Sequence, residues 1–261
     1  MKYLDFMTNL AKEAGALAQN TFSQIENAGI ETKATAKDIV TVADRKTEKF
    51  IISRLLEAFP DYNIFGEETG STHRSDSEYL WVIDPIDGTS NYAAGLPYAI
   101  SIGLMKGKEH IAGVVYAPRS DKMFAAETGK GATLNGNPLH VSNRDKLIES
   151  IGVTGFACLR ANLTRNNLQA FCAIAPQLRG IRRFGCASLD ICSVAAGCTE
   201  FFWEYPLSLY DIAGAAVVLK EAGGTVTDFD GGNEYPEKGI VVSNTILHRA
   251  IQQLILENDY R

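Results

Sequence analysis

The segment Trp81-Val-Ile-Asp-Pro-Ile-Asp-Gly-Thr-Ser90 decides how this chain is interpreted. Its apolar beginning predicts a buried strand that ends at Asp84, because Pro85 lacks the N–H group that a strand ladder requires. A second carboxylate, Asp87, follows, and Gly88-Thr89-Ser90 predicts a tight turn that opens a helix. Two carboxylates on a rigid turn suit a hard cation such as Mg²⁺, and free N–H groups at a helix start suit an anion. Together they predict a site for a metal and a phosphate, which is what metal-assisted hydrolysis of a phosphate ester requires.

Alone, this motif is weak evidence, because Asp-Pro and Asp-Gly are common turn dipeptides. The rest of the chain strengthens it with other acidic residues at predicted strand ends and helix starts. The full set is Asp44, Glu67, Glu68, Asp84, Asp87 and Asp211. Carboxylates that gather in a fold repel one another strongly and need cations to remain together. The sequence therefore predicts that two or more Mg²⁺ ions hold this set.

Composition limits the class of protein. The chain has 261 residues and a net charge of −6, so it suits one large domain or two tightly joined lobes and offers no basic surface for direct nucleic-acid binding. Its five cysteines are an odd number and form no CxxC pair, which argues against a disulfide framework or a zinc site. No apolar run approaches the length of a membrane span, so no membrane partner is expected. These features predict a cytoplasmic protein.

Helical and strand patterns alternate along the chain. Helices are predicted at residues 4–18, 44–58, 162–178, 188–196 and 212–222, the last of them capped by Asp211, and at the C-terminus. Strands are predicted at residues 62–65, 80–83, 99–106, 110–117, 123–127, 199–204, 225–229 and 240–242. The polar residues 23–43, which include Lys33, indicate a mobile loop or a hairpin. The alternation predicts layered α and β structure.

Three motifs give the chain a family resemblance. They are Gly66-Glu-Glu-Thr69, the segment from Trp81 extended to Tyr92, and Leu209-Tyr-Asp-Ile-Ala-Gly-Ala215 with Glu221-Ala-Gly-Gly224. In this order they resemble the inositol monophosphatase family of Mg²⁺-dependent, lithium-sensitive phosphatases, over nearly the whole chain. The resemblance implies an α+β fold, a layered αβαβα sandwich of the inositol monophosphatase and fructose-1,6-bisphosphatase type. It also implies a single phosphatase domain over residues 1–261, with two tightly packed lobes at roughly 1–145 and 146–261.

The resemblance also assigns expected roles to residues. Ligands of a first metal are Glu67, Asp84 and the Ile86 carbonyl, those of a second are Asp84, Asp87 and Asp211, and a third, weaker ion lies near Glu67. Thr89, paired with Asp44, and Glu67 orient and deprotonate the attacking water, and the N–H groups of Gly88 and Thr89 hold the phosphate. Substrate contacts are expected at Asp87, Ala187 and Glu204, and Lys33 belongs to the mobile loop.

Four positions depart from the usual family pattern. Because they affect the expected shape of the substrate pocket, the identity of the alcohol that is released is not determined by the resemblance. The four positions are Tyr92, Cys186, Ser188 and Tyr210, none of which removes a metal ligand. The leading expectation is hydrolysis of inositol-1-phosphate, within a broader class of small phosphorylated polyols or nucleotides. Alternatives on the same scaffold are a 3′(2′),5′-bisphosphate nucleotidase, a fructose-1,6-bisphosphatase and a histidinol-phosphatase. An alternative of another class is a regulatory protein-binding module associated with the transcription machinery. The resemblance also implies a homodimer.

Overall fold

Five layers of helix and sheet alternate in the computed structural model, which describes residues 3–23, 30–32, 39–72 and 76–259. The helices of this part of the chain are α1 (Tyr3–Phe22), α2 (Val42–Ala58), α3 (Thr89–Ala93), α4 (Ala157–Arg160), α5 (Leu168–Ile174), α6 (Ala187–Ala195), α7 (Leu209–Glu221) and α8 (His248–Glu257). None of the helices described is both long enough and apolar enough to span a membrane.

The strands form three sheets among the described residues. An eight-stranded sheet has the order β10 (Asn137–Pro138), β9 (Ala132–Leu134), β8 (Lys122–Glu127), β7 (Glu109–Ala117), β6 (Ala99–Lys106), β5 (Tyr79–Asp87), β3 (Asn63–Gly66) and β4 (Gly70–Thr72). A five-stranded sheet has the order β12 (Gly180–Arg182), β11 (Ile151–Thr154), β13 (Phe201–Glu204), β15 (Ile240–Ser243) and β14 (Thr225–Thr227). A small antiparallel pair, β1 (Ile30–Thr32) and β2 (Ile39–Thr41), precedes α2.

Apolar cores lie between these layers. Helices α1 and α2 bury Met7, Ile51 and Leu55 against one face of the eight-stranded sheet. Helices α6 and α7 lie between the two large sheets, in a core that includes Ile191 and Val218. Helices α5 and α8 cover the outer face of the five-stranded sheet with a third core. The order α, β, α, β, α confirms the predicted layered α+β sandwich.

The strand of the Asp84 motif, β5, ends later than the sequence predicts. Strand β5 continues through Pro85 to Asp87, so the prediction that Pro85 stops the strand is wrong. The pairing with β6 shifts register between Asp84, which lies opposite Ser101, and Asp87, which lies opposite Ala99. Such a bulge interrupts the ladder and tolerates a residue without an N–H group. The bulge therefore carries both aspartates of the motif into the sheet itself.

Two helix predictions also need correction. The segment 162–178 is α-helical only at Leu168–Ile174, because Asn162 has a positive φ of 54° and the N–H of Leu168 is capped by the Asn166 side chain. The short helix Ala157–Arg160 was not predicted. Asp211 is not the N-cap of α7: Ser208 is, and Asp211 completes a capping box by accepting the Ser208 N–H at 2.6 Å.

The structure describes only part of the segment 23–43, which was predicted to be a mobile loop or a hairpin. Strands β1 and β2 pair antiparallel from Ile30 opposite Thr41 to Thr32 opposite Ile39, as a hairpin would. Lys33 lies outside the described residues.

Candidate active site

Three aspartates from distant parts of the chain meet where β5 ends and α7 begins. Asp84 and Asp87 flank the bulge of β5, and Asp211 lies in the first turn of α7. One carboxylate oxygen from each lies within 4.8 Å of the others. This spacing allows the three side chains to share a cation, and carboxylate oxygens are the donors that hard divalent ions prefer.

A second acidic group lies at the start of α2 and after β3. Asp44, Glu67 and Glu68 also bring one ligand oxygen each within 4.8 Å of one another. The turn that carries the two glutamates is held by Glu48, which is fully buried and accepts the N–H groups of Glu68 at 2.9 Å and Thr69 at 2.8 Å. Glu48 thus fixes the backbone of the turn that carries the two glutamates. Burial raises the pKa of Glu48.

The electrostatics of this region fit a bound metal. Burial raises the pKa of Asp84 well above its usual value, and the negative charges of Glu67, Asp87 and Asp211 raise it further. Burial and the negative charge of Asp87 also raise the pKa of Asp211 well above its usual value. Acids that are ionised and this close are costly without compensating positive charge. A set of carboxylates of this kind is therefore suited to hold divalent cations.

A turn suited to phosphate lies beside the aspartates. Gly88 has a φ of 88°, a left-handed conformation that glycine adopts without strain, and it precedes the short helix α3. The hydroxyl of Thr89 lies 3.0 Å from Asp44 Oδ1 and 3.3 Å from the carbonyl oxygen of Ile86, so it can donate to either acceptor. The structure thus brings Thr89 and Asp44 together.

Asp87 also accepts hydrogen bonds from the start of α6, about 100 residues away in the chain. Its carboxylate accepts the N–H groups of Ser188 at 2.6 Å and Ala187 at 3.2 Å, and the thiol of Cys186 donates to it over 3.1 Å. These donors belong to the N-terminal end of α6, where helix dipoles favour negative charge. Burial still raises the pKa of Asp87, and these hydrogen bonds oppose the rise.

Glu204 ends β13 and lines the same pocket as the aspartates. It is 6% exposed, and Oε1 accepts the N–H of Ala157 at 3.0 Å. A methyl group built on Gly155 would lie only 2.0 Å from Glu204 Oε2, so the carboxylate lies directly against the backbone of Gly155. Burial raises the pKa of Glu204 to about 7. Its carboxylate therefore changes charge near neutral pH.

One pocket collects most of the expected site residues. Its lining includes Glu67, Asp84, Ile86, Asp87, Gly88, Thr89, Ala187, Glu204 and Asp211. Asp44 is joined to it through Thr89. Phe156, Arg160 and Arg183 also line the pocket, although no role was predicted for them or for Glu48 from the sequence. Glu48 could have been noticed, because it follows Asp44 by four residues on one helix; nothing in the sequence placed the other three beside the acids.

The chain is similar to known proteins in sequence and in structure. A sequence model of the inositol monophosphatase family matches residues 2–259. Inositol-1-monophosphatase of Mesorhizobium japonicum is 36% identical over 254 residues, which cover 97% of this chain and 95% of the relative. The Nus factor SuhB of Pseudomonas aeruginosa is 41% identical over 256 residues, which cover 95% of this chain and 93% of the relative.

Solved structures agree with these relatives. The extragenic suppressor protein suhB of Bartonella henselae is 35% identical and superposes with a TM-score of 0.92, covering 98% of both chains. A staphylococcal IMPase-II, solved with inositol monophosphate bound, is 30% identical with a TM-score of 0.81, covering 97% of this chain and 94% of that one. The same protein has also been solved with 2′AMP bound.

Proposed function

Because the chain belongs to the inositol monophosphatase family of metal-dependent phosphoric monoester hydrolases, we propose that its own substrate is inositol-1-phosphate, cleaved to inositol and phosphate. The observation that carries this proposal is the place of Glu204 in the pocket of the acidic cluster. A buried carboxylate at the wall of the pocket can accept hydrogen bonds from the hydroxyl groups of a polyol. Ala187 lines the same pocket and gives the substrate an apolar contact.

The residues around the phosphate turn support an in-line displacement. The N–H groups of Gly88 and Thr89 bind the phosphate. The Thr89 hydroxyl, held by Asp44 at 3.0 Å, orients a water molecule toward phosphorus, and Glu67 accepts the proton of that water. Water then adds to phosphorus as the bond to the alcohol oxygen breaks, and the alcohol leaves with a proton. Asp87, fixed by α6, also contacts the substrate.

Mg²⁺ is the proposed cofactor, with two to three ions. Glu67, Asp84 and the Ile86 carbonyl, which line one pocket, would hold one ion. Asp84, Asp87 and Asp211, whose oxygens lie within 4.8 Å of one another, would hold a second, with a third near Glu67. The oxygen-only donor set of these residues supports a hard cation. When bound, the ions supply positive charge against the phosphate and lower the pKa of a bound water.

A phosphate-release screen tests the substrate. Purified protein with Mg²⁺ is offered inositol-1-phosphate, adenosine 3′,5′-bisphosphate, fructose 1,6-bisphosphate, histidinol phosphate and glycerol phosphates. The proposal expects the highest kcat/KM for inositol-1-phosphate among the monophosphates. A higher value for histidinol phosphate would replace inositol-1-phosphate as the substrate and leave the phosphatase chemistry intact.

A second candidate function is suggested by relatives that are named as Nus factors. The Pseudomonas protein at 41% identity is named a Nus factor, so a regulatory role with a protein partner of the transcription machinery is a separate proposal for this chain. The complete set of acidic residues supports retained catalysis beside it. A pull-down at cellular concentration, run in parallel with the phosphate-release assay, separates the two functions. A variant that releases no phosphate should still bind a regulatory partner if the regulatory function does not depend on catalysis.

Three further proposals concern the organisation of the protein. A homodimer is proposed from family likeness and is tested by light scattering at micromolar concentration. Two lobes, roughly 1–145 and 146–261, are supported by the eight-stranded sheet in the first half and the five-stranded sheet in the second. A cytoplasmic location is proposed from the composition and is tested by fractionation.

A further inference from the structure

A shielded ion pair lies beside Tyr205, the residue that follows β13. Arg165 donates from Nε to Asp259 Oδ1 over 2.8 Å and from Nη2 to Asp259 Oδ2 over 2.5 Å. Asp259 follows the helix α8, and its side chain is only 3% exposed, while that of Arg165 is 20% exposed. A bidentate pair that water reaches so little has a defined geometry, in contrast to most surface ion pairs.

The guanidinium group of Arg165 lies over aromatic rings of the core that covers the outer face of the five-stranded sheet. Its Cζ atom is 4.4 Å from the ring centre of Tyr205 and 5.3 Å from that of Phe229. A cation over an aromatic ring is attracted by the negative charge of the ring face. Because Asp259 binds two nitrogens of the guanidinium group, the cation keeps its place over the Tyr205 ring. The ion pair thereby restrains the side chain of Tyr205.

Tyr205 follows Glu204 directly in the chain, at the end of β13. Side chains of neighbouring residues in a strand point to opposite faces of the sheet. Trp203 and Tyr205 accordingly pack in the outer core, Phe202 lies in the core between the two large sheets, and Glu204 lines the pocket. A Tyr205 side chain that is restrained on the outer face therefore restrains the direction in which Glu204 points.

The segment that carries Arg165 also supports the backbone against which Glu204 lies. Asn167, which is 2% exposed, donates from Nδ2 to the carbonyl oxygen of Gly155 over 2.7 Å. Gly155 is the residue on which an added methyl group would lie 2.0 Å from Glu204 Oε2. Residues of one segment, 165–167, consequently hold Glu204 in two ways, through its neighbour in the strand and through the wall of the pocket.

We propose that Arg165, held by Asp259, is a positioning residue that keeps Glu204 directed into the pocket and so contributes to the preference for a polyol phosphate. This inference rests on the proposed function, in which Glu204 binds hydroxyl groups of the substrate. Arg165 does not line the pocket, so its effect on the substrate passes through Glu204. Loss of Arg165 should therefore weaken the selection of substrates that carry hydroxyl groups and leave the cleavage of phosphate esters in general unchanged.

The ratio of kcat/KM for inositol-1-phosphate to kcat/KM for an aryl phosphate without hydroxyls measures this role. Arg165→Gln should lower the ratio about tenfold, since the hydrogen bond from the substrate to a charged carboxylate loses its alignment. Asp259→Asn should change the ratio in the same direction, and Arg165→Lys, which keeps the cation, should restore part of it. In a Glu204→Gln background, Arg165→Gln should not lower the ratio further, because the carboxylate that Arg165 positions is absent.

Arg144→Gln is the matched control for a general effect of losing an ion pair. Arg144 is paired with Glu200, the residue that precedes β13, at the end of the strand away from the pocket. This variant should lower stability without changing the ratio of the two kcat/KM values. Equal losses for both substrates in Arg165→Gln would overturn the proposal, and so would a further fall of the ratio when Arg165→Gln is added to Glu204→Gln.

A measurement without substrate separates this inference from the function on which it rests. Ala157 is the first residue of α4, so its N–H has no acceptor inside the helix and donates to Glu204 instead. Its hydrogen exchange, followed by NMR, should become about tenfold faster in Arg165→Gln and stay unchanged in Arg144→Gln. If exchange accelerates but the wild type does not hydrolyse inositol-1-phosphate, the proposed substrate fails and the positioning role stands. Unchanged exchange in Arg165→Gln overturns the positioning role, whatever the substrate.

Discussion

The backbone N–H of Ser188 lies 2.6 Å from a carboxylate oxygen of Asp87, across a separation of 101 residues. This bond connects the start of α6, in the second half of the chain, with the end of β5 in the first half. It orients a carboxylate that also faces Asp84 and Asp211. The acidic cluster is therefore assembled only when both halves pack together.

Loss of charge in the cluster should remove activity while the fold remains. Asp87→Asn and Asp211→Asn each take one negative charge from the expected metal site, and kcat should fall about a hundredfold or more. Phosphate release in saturating Mg²⁺ measures it, with circular dichroism as the check on folding. Asp76→Asn, at an exposed position, is the control. Near-wild-type rates would show that the second metal has been assigned to the wrong residues.

The hydroxyl of Thr89 should matter more than its methyl group. Thr89→Val keeps the shape but removes the donor to Asp44, so the attacking water loses its orientation and kcat should fall on the order of a hundredfold. Thr89→Ser keeps the hydroxyl and should retain most of the rate. Steady-state kinetics of both variants decide the matter, and equal losses in the two would favour a packing role for this side chain.

Gly155 should control the position of Glu204. In Gly155→Ala the new methyl group would meet Glu204 Oε2 at 2.0 Å, so the carboxylate must move away from the Ala157 N–H. The kcat/KM for inositol-1-phosphate should fall about tenfold more than that for an aryl phosphate without hydroxyls. Gly180→Ala is the control, because its methyl group would meet only the flexible end of Arg182. A parallel loss for both substrates would contradict this interpretation.

The charge of Glu204 should appear in the pH dependence of substrate preference. Burial raises its pKa to about 7, so the side chain is ionised above that pH and neutral below it. The ratio of kcat/KM for inositol-1-phosphate to that for the aryl phosphate should decrease as the pH falls from 8 to 6. Taking the ratio cancels titrations that affect both substrates. In Glu204→Gln the ratio should be low and independent of pH; a wild-type pH dependence in this variant would refute the assignment.

His110 should make the fold less stable in acid. Burial lowers its pKa from 6.5 to about 4, so below pH 6.5 the unfolded chain binds a proton that the folded protein does not bind. The contribution of His110 to the free energy of unfolding is therefore most favourable above pH 6.5 and decreases as the pH falls toward 4, and it is isolated by comparing the wild type with a variant that lacks the imidazole. Urea unfolding at pH 7.5 and 5 measures this loss, which His110→Asn should reduce. His140→Gln, at an exposed position, should not change it.

Local patterns explain why much of the fold was predictable. The apolar spacing of α1 and α2 and the β6–β7 hairpin were predicted close to their observed bounds, because side-chain period and turn chemistry act over a few residues. The predictions were wrong where a contact with another segment or residue determines the end of a strand or the cap of a helix. The bulge at Pro85 depends on pairing with β6, and the N-cap of α7 depends on the bond between Ser208 and Asp211.

The sequence by itself determined which acidic residues stand beside turns and helix starts, and hence the expectation of a metal and a phosphate in one site. Only the tertiary structure decided that α6 binds Asp87, that Gly155 lies against Glu204, and that Arg160 and Arg183 share the pocket. The physical reason is the range of the forces involved. Backbone conformation and hydrophobic period are encoded by neighbours in the chain, whereas these contacts form between segments that meet only when the layers pack around their common cores.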